Sequence, residues 1–268
     1  LKITDFHTHI FPEKIAAAAI ASLSKSSGIK NNTDGTVNGL LKSMDIAGIT
    51  RSVVLPVVTN PKQFTSVNRY AEEINRKFED RIISFGGIHP LDSDYKQELK
   101  SLKESGFKGI KLHPDYQGVN ANDISVKRIV YEASALGLII TIHAGKDISF
   151  PRMASTAEML AEVTDEIKPD KFVLAHLGSW GDWQKTVKLL CGKNIWLDIS
   201  FSLEYIKEDI LREIVRLHGA DRILFATDSP WSKQSEYVEK ASSLFTEDEQ
   251  KLIMCKNAEN LLYGRKDD

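Results

Sequence analysis

The segment Asp5-Phe6-His7-Thr8-His9-Ile10-Phe11-Pro12 places two imidazoles two positions apart, on a short apolar run near the start of the chain. Side chains at i and i+2 of an extended strand share a face, so His7 and His9 are expected to point the same way. Neutral imidazoles converging from one strand make half of a divalent-metal site. On this pair alone, two exposed polar residues near a chain end explain the pattern equally well, and the other histidines decide. His89, His113, His143 and His176 each close a short aliphatic or β-branched run, as Asp228 does in Ala226-Thr227-Asp228-Ser229-Pro230-Trp231. Only His218, in Leu217-His218-Gly219, falls elsewhere, at a helix C-terminus where an imidazole caps the helix and complements its dipole. Scattered surface histidines would not gather at the ends of strands, and a metal centre is the favoured reading.

The elements that must position these side chains alternate regularly. Apolar runs at Leu1-His7, Ser52-Val58, Ile82-Ile88, Gly109-Leu112, Leu138-His143, Phe172-His176, Ile195-Ile199 and Ile223-Thr227 read as strands. Between them, apolar spacing of i, i+3, i+4 marks helices over Phe64-Phe78, Tyr95-Leu102, Val126-Leu136, Thr156-Ile167 and Glu204-Leu217. Gly48, Gly106, Gly137 and Gly219 stand where helix C-caps are expected, and Thr246-x-x-Glu249 opens the last helix with a capping box. Eight strands alternating with helices and no linker predict an α/β fold, a single-domain (β/α)8 TIM barrel over residues 1-268. A doubly wound open sheet is the alternative, but the Gly-rich phosphate turn it usually carries after its first strand is missing.

Composition narrows the function. The chain of 268 residues balances 35 basic against 37 acidic side chains, which disfavours nucleic acid or an anionic membrane as partner. Two distant cysteines, Cys191 and Cys255, imply a reduced, cytoplasmic setting without disulfides. No apolar run approaches the roughly 20 residues of a membrane span. The stretch Ile15-Leu23 lies downstream of the histidine pair without a basic leader, so it reads as an Ala-rich helix rather than a signal-peptide core. The first residue is leucine, so the natural chain is expected to start at least one residue earlier.

In a barrel the chemistry sits at the C-terminal ends of the strands. Counting back by two, His143 shares a face with Thr141 and Ile139, His176 with Leu174, and Asp228 with Ala226, which would set each at the mouth above an apolar floor. Lys111, in Gly109-Ile110-Lys111-Leu112-His113, falls on the face of His113. A charged lysine inside a barrel is costly unless paired or modified. A snorkelling or ion-paired lysine is slightly the better account.

With His-x-His on the first strand, His143 on the fifth, His176 on the sixth and Asp228 on the eighth, the chain resembles the amidohydrolase superfamily. The phrases DFHTHIFP, KGIKLHP, TIHAG, LAHLGS and ATDSPW are similar to its amidohydrolase-related (amidohydrolase 2) branch, which holds metal-dependent hydrolases and non-oxidative aromatic-acid decarboxylases. The resemblance covers nearly the whole chain, through Asn257-Ala258-Glu259-Asn260-Leu261. It implies one divalent ion, zinc with manganese as the alternative, held by His7, His9, His143 and Asp228 with a water beside His176. Were Lys111 a carbamate, it could bridge to a second metal, and His176 would then be a ligand of that ion. The TatD-type nucleases share the opening pair but carry a glutamate on the fourth strand where this chain has Lys111.

The expected chemistry is hydrolysis of a small ester, lactone or amide by a metal-activated water, whose pKa a zinc ion lowers to roughly 7. Asp228 would be the proton-shuttling base, and His176 would polarise the carbonyl or its oxyanion. The alternative on the same constellation is non-oxidative decarboxylation of a small aromatic or unsaturated acid. A non-catalytic metal-binding barrel is a third, less favoured reading. Loop residues Lys146, Phe150, Pro151, Arg152, Trp180, Trp231 and Tyr116 suggest an aromatic wall with cations, suited to a small carboxylated substrate. Lys111, His113, Arg152 and Trp231 are the expected substrate contacts, with packed loops and solvated cations an equal alternative. His89 and His113 serve equally well to fix loops. A homo-oligomer is allowed.

Overall fold

A computed structural model describes residues 2-264; Leu1, the start of the first expected strand, lies outside them. The strands are β1 (Ile3–Thr8), β2 (Ile49–Val54), β3 (Ile82–Ser84), β4 (Gly86–Gly87), β5 (Gly109–Leu112), β6 (Ile139–Ile142), β7 (Phe172–Leu174), β8 (Trp196–Asp198) and β9 (Ile223–Leu224). They form a three-stranded parallel sheet, β1-β2-β3, and a six-stranded parallel sheet, β4-β5-β6-β7-β8-β9. Backbone bonds Phe6 N–H to Phe225 O (2.9 Å) and Asp228 N–H to His7 O (2.8 Å), with a bridge between Thr8 and Ser229, close the circle from the last strand to the first. The expected barrel is present.

The third expected strand is interrupted at Phe85, where it changes partner. β3 pairs with β2, whereas β4 pairs with β5. Backbone groups that neither neighbour reaches are taken by the helix Phe64–Phe78. Its Asn75 amide exchanges two bonds with Ser84 (2.9 and 2.6 Å), and its Asn68 amide does the same with Gly87 (2.9 and 2.8 Å). Two side chains thus stand in for a missing ladder, so the buried backbone stays satisfied.

Helices form where the spacing places them. Phe64–Phe78 matches the expected span and buries Asn68, Ala71 and Ile74 at three-residue spacing; Ala157–Ile167 is capped by Thr156, whose side chain accepts from Met159 N–H. Helix Val37–Ala47 ends at Gly48, whose φ of 69° is open to glycine at little cost. The stretch expected as Glu204-Leu217 begins only at Glu208. The residues before it are held as a loop by the Tyr237 hydroxyl, which accepts from Ser202 and Leu203 N–H and donates to Ile199 O. The capping box at Thr246 and Glu249 is present, but the final helix contains a π turn over Leu252–Lys256. There, the Ile253 carbonyl accepts from Phe225 N–H on the closing seam.

Two apolar layers surround the strands. Phe6, Val53, Phe85, Ile139, Val173 and Ala226 fill the inside, joined by Ala258, Leu261 and Leu262 of the helix Asn257–Tyr263, which stoppers the end of the barrel away from the histidines. Ile110, Ile140, Phe172, Leu174 and Leu197 face outward onto the helices. Each such fully buried apolar side chain contributes about 1.5–3 kcal/mol.

One position in the loop after β6 cannot carry a side chain. Gly145 has φ of 92°, and a Cβ there would come within 1.9 Å of Trp180 N and 2.6 Å of Trp180 O. The loops after β6 and β7 meet backbone to backbone at this point. Gly145→Ala is expected to cost about 3 kcal/mol from strain and overpacking. Thermal unfolding should show it as a midpoint lower by roughly 8 °C; an unchanged midpoint would contradict the contact.

Candidate metal and active site

His7 and His9 do face one another. Their Nε2 atoms lie 3.2 Å apart, and Asp228 Oδ1 is 3.5 Å from the first and 3.1 Å from the second. The i, i+2 rule is not the whole cause. Asp5, two residues before His7, reaches outward to Gln234 Nε2 (2.7 Å) and Thr227 Oγ1 (2.6 Å), while a register irregularity between Asp5 and Thr8 separates it from the two histidines. Asp228 arrives through a left-handed turn, φ of 65°.

The other ring nitrogens fix the tautomers. His9 Nδ1 is 2.9 Å from the Leu55 carbonyl, and His7 Nδ1 is 3.0 Å from Asp198 Oδ2; both acceptors require the proton on Nδ1. Each Nε2 is therefore a lone pair, and the two lone pairs face each other beside a carboxylate oxygen. Such a trio is repulsive by itself and matches a divalent cation, because ligand bonds of about 2.0–2.1 Å in a tetrahedron separate donor atoms by roughly 3.3 Å. Burial of His7 and the ammonium of Lys111 push its imidazole down to about 3, despite Asp198 and Asp228, which keeps it neutral. Burial pushes the Asp228 carboxyl up, and a proton on the neighbouring imidazoles would more than offset this and hold it down to about 2.

His143, the fourth ligand implied by the resemblance, is not in this trio. Its Nδ1 lies 3.1 Å from His176 Nε2, and its ring stacks on His113 at 4.1 Å between centroids. His176 Nδ1 donates to the Ser200 carbonyl (2.9 Å), so its Nε2 accepts from His143 Nδ1. That leaves His143 Nε2 as a buried lone pair with no protein partner. The described residues hold three groups with metal-ligand spacing: His7, His9 and Asp228; His7, His176 and Asp198; and His113, His143 and Asp147.

His176 reaches the centre by a route that periodicity misses. Leu174 packs in the outer layer and Val173 in the inner one, so the expected shared face of His176 and Leu174 is wrong. Positive φ at His176 (56°) and Leu177 (54°) breaks the alternation and turns the imidazole inward. The same count holds for His143, whose Ile139 belongs to the inner layer, and for Asp228, whose Ala226 does.

Asp198, at the end of β8, was not singled out by the sequence. It is fully buried, accepting from His176 N–H (3.0 Å), Ser200 N–H (3.0 Å) and the Ser200 hydroxyl as well as His7. The neighbouring imidazoles, His7 foremost, overcome its burial and hold its carboxyl well below the usual carboxylate range. Its place at the end of the run Ile195-Ile199 was the available signal. Asp198→Asn should weaken metal affinity about 10- to 100-fold, because the amide no longer fixes the proton on His7 Nδ1. Metal titration of the apoprotein checks this, and unchanged affinity would remove the role.

Lys111 is wholly buried and points inward, its Nζ 3.2 Å from His7 Nε2. Burial pulls its ammonium down to about 8, partly opposed by Asp198 and Asp228. An unmodified amine is the expected species, checked by intact-protein mass and metal stoichiometry with and without bicarbonate. Two metals per chain and a carboxylated Lys111 would overturn that.

A cavity of about 370 Å³ opens over these groups, lined by Lys111, His113, Tyr116, Lys146, Trp180 and Trp231 among others. His113 Nε2 is 3.3 Å from Asp147 Oδ2. Arg152, expected at the substrate, is exposed and instead borders a separate dent with Asp115, Phe150 and Pro151. The chain after Ser149 turns away from the mouth at that dent, leaving Lys146 as the cation of this loop on the cavity. His89 fixes its own loop, its Nδ1 accepting from Leu91 N–H (3.2 Å). His218 is buried, which pushes its imidazole down to about 4, and its Nδ1 accepts from Gly192 N–H. It is neutral and does not complement the helix dipole as expected.

No helix among the described residues is long and apolar enough to cross a membrane. No curated protein matches the chain. The chain is similar in structure to an uncharacterised TIM-barrel protein from Bordetella bronchiseptica, with TM-score 0.81, 18% identity and coverage of 98% of this chain and 99% of that one. It is also similar to a probable 2-pyrone-4,6-dicarboxylic acid hydrolase from Acinetobacter baumannii, solved with citric acid, with TM-score 0.68, 18% identity and coverage of 98% and 99%. A third, 5-carboxyvanillate decarboxylase from Novosphingobium aromaticivorans, was solved with manganese and 4-hydroxy-3-methoxy-5-nitrobenzoic acid; it gives TM-score 0.72, 16% identity and coverage of 97% and 96%. Decarboxylases recur among such matches. At these identities the likeness is one of fold. The family model described as Amidohydrolase matches residues 4–263, and the chain belongs to that family.

Proposed function

We propose that this protein is a metal-dependent lyase that releases carbon dioxide, without an oxidant, from a small aromatic or unsaturated carboxylic acid. The carrying observation is the trio of lone-pair donors, buried His7 and Asp228 with half-buried His9, at the floor of a cavity walled by Tyr116, Trp180 and Trp231. The recurrence of aromatic-acid decarboxylases among similar structures favours this reading over the hydrolysis expected from the sequence. A divalent ion there, manganese or zinc, would supply a Lewis acid for the carboxylate and an adjoining oxygen. His7, His9 and Asp228 would hold it, with His143 Nε2 the remaining buried lone pair nearby. Lys111 adds positive charge at the floor, and the aromatic wall orients a flat ring. As the C–C bond breaks, its electron pair stays on the ring carbon. That carbon takes a proton drawn from solvent and relayed by Asp228, which is ionised before and after the transfer.

Hydrolysis is kept as a second reading, since Asp228 lies beside the histidine pair, where its carboxylate could take a proton from a metal-bound water. The test is a panel of hydroxybenzoates and unsaturated acids beside lactones, esters and amides, assayed with metal-loaded protein. Carbon dioxide release that needs the metal is the expected result. Ester or lactone turnover without carbon dioxide release would establish the hydrolytic reading instead, and bound metal with no turnover would indicate a non-catalytic barrel.

A further inference from the structure

Lys111 and Asp228 sit with the histidines at the floor of the cavity, and part of the remaining lining is apolar. Ala19 and Leu23 of the helix Glu13–Ser27, and Ile29 just after it, form part of the lining. The helix is tied to the loop after β6 by the hydroxyls of Ser26 and Ser149, 3.3 Å apart. Trp180 and Phe201 contribute another apolar part, their rings stacked at 6.1 Å. The Trp180 indole N–H is already spent on the Phe201 carbonyl (2.8 Å), so this wall offers no free donor. Of the charged groups away from the floor, Asp147 is paired with His113 and Lys146 is exposed at the mouth. Among the described residues no arginine lines the cavity.

The space is larger than a reacting head group needs. A carboxylate fills the room of one or two waters, at roughly 30 Å³ each, in a cavity of about 370 Å³. From this we infer that the substrate is a monocarboxylic acid bearing an apolar group, aryl or alkyl, remote from the reacting carboxylate and seated against Leu23, Trp180 and Phe201. The identity of the head group rests on the decarboxylase reading; the apolar subsite rests on the lining alone. Ser22 and Ser27 add hydroxyls to the helix wall, that of Ser27 already donated to the Leu23 carbonyl, and neither carries a charge to pair with a second carboxylate at that position, which is therefore unfavourable.

The test uses the full chain loaded with manganese and non-reacting 2-nitrophenols, whose nitro group replaces the carboxylate. Calorimetry would compare 2-nitrophenol, its 4-methyl and 4-propyl derivatives, and 4-hydroxy-3-nitrobenzoate. Affinity is expected to rise roughly fourfold per added carbon through the alkyl series, and the carboxylated compound should bind at least tenfold more weakly than the methyl one. Leu23→Lys should flatten the series, and Ala19→Trp, which fills rather than charges the subsite, should reverse it for the propyl compound. A flat series in the unaltered protein would overturn the inference. So would tightest binding of 4-hydroxy-3-nitrobenzoate, with the gain lost in Lys146→Met. Carbon dioxide release from salicylate and 5-propylsalicylate separates the two layers. An affinity gradient without any release ends the decarboxylase reading and retains the subsite, whereas release without a gradient does the opposite.

Discussion

Protein carrying His7→Ala together with His9→Ala is expected to retain no divalent metal after exhaustive dialysis, while the unaltered chain retains it in near-stoichiometric amount. The double change removes two of the three lone pairs that converge within 3.5 Å of one another. Asp228 alone, a single carboxylate, cannot hold a transition metal against dialysis. Elemental analysis reads the result directly. Thermal unfolding gives a second readout, because an ion at a thousand times its dissociation constant stabilises the native state by about 4 kcal/mol. That metal-dependent rise in midpoint should be present in the unaltered chain and missing in the double variant. Equal metal content in the two proteins would remove the centre described here.

Asp228→Asn should lower turnover by about 10²–10⁴-fold, the range of a lost proton-transfer group, and His176→Asn, which no longer holds the His143 ring through its Nδ1 proton, should lower it as well, yet the two should differ in metal retention. Asp228 Oδ1 sits 3.1 Å from His9 Nε2, inside the trio, so its loss should weaken metal binding as well. The His176 ring nitrogens are taken up by the Ser200 carbonyl and His143, so His176→Asn should leave the metal in place. Metal content and far-ultraviolet circular dichroism on the same samples separate a chemical defect from misfolding. If His176→Asn sheds metal as readily as His143→Asn, His176 is a ligand and a two-metal site gains ground.

Much of this architecture was legible in the chain because periodicity reports burial. The strand runs, the helix Phe64–Phe78 and the capping box at Thr246 follow from patterns that a half-buried element imposes on its own residues. His7, His9 and Asp228 were legible as a group, since imidazoles and a carboxylate set at the ends of apolar strands are costly to bury unless a cation joins them. What alternation could not supply is what happens after a strand stops. His176 turns inward by left-handed backbone, against the phase of Leu174, and Arg152 leaves the cavity because its loop bends away after Ser149. Asp198 was hidden for another reason. A lone aspartate in Trp196-Leu197-Asp198 has no sequence neighbour to announce it, and its partners, His7 and His176, arrive from other strands. The break at Phe85 was equally silent, since asparagines on a helix read as surface until they are found bonded to a strand.

The seam that closes the barrel joins residues from opposite ends of the chain. Asp5 accepts from Thr227 N–H across 222 positions, and the proposed ligands His7, His9 and Asp228 straddle the same join. Bringing segments that far apart together costs about 5 kcal/mol of loop-closure entropy. During synthesis, the chain must emerge through Asp228 before those three donors can meet, so a metal could not be held there earlier. An ion held by His7, His9 and Asp228 would act as a clasp on that seam and resist its opening. Unfolding of the loaded protein should accordingly be slower at the seam than elsewhere, making metal supply a determinant of how long each molecule survives.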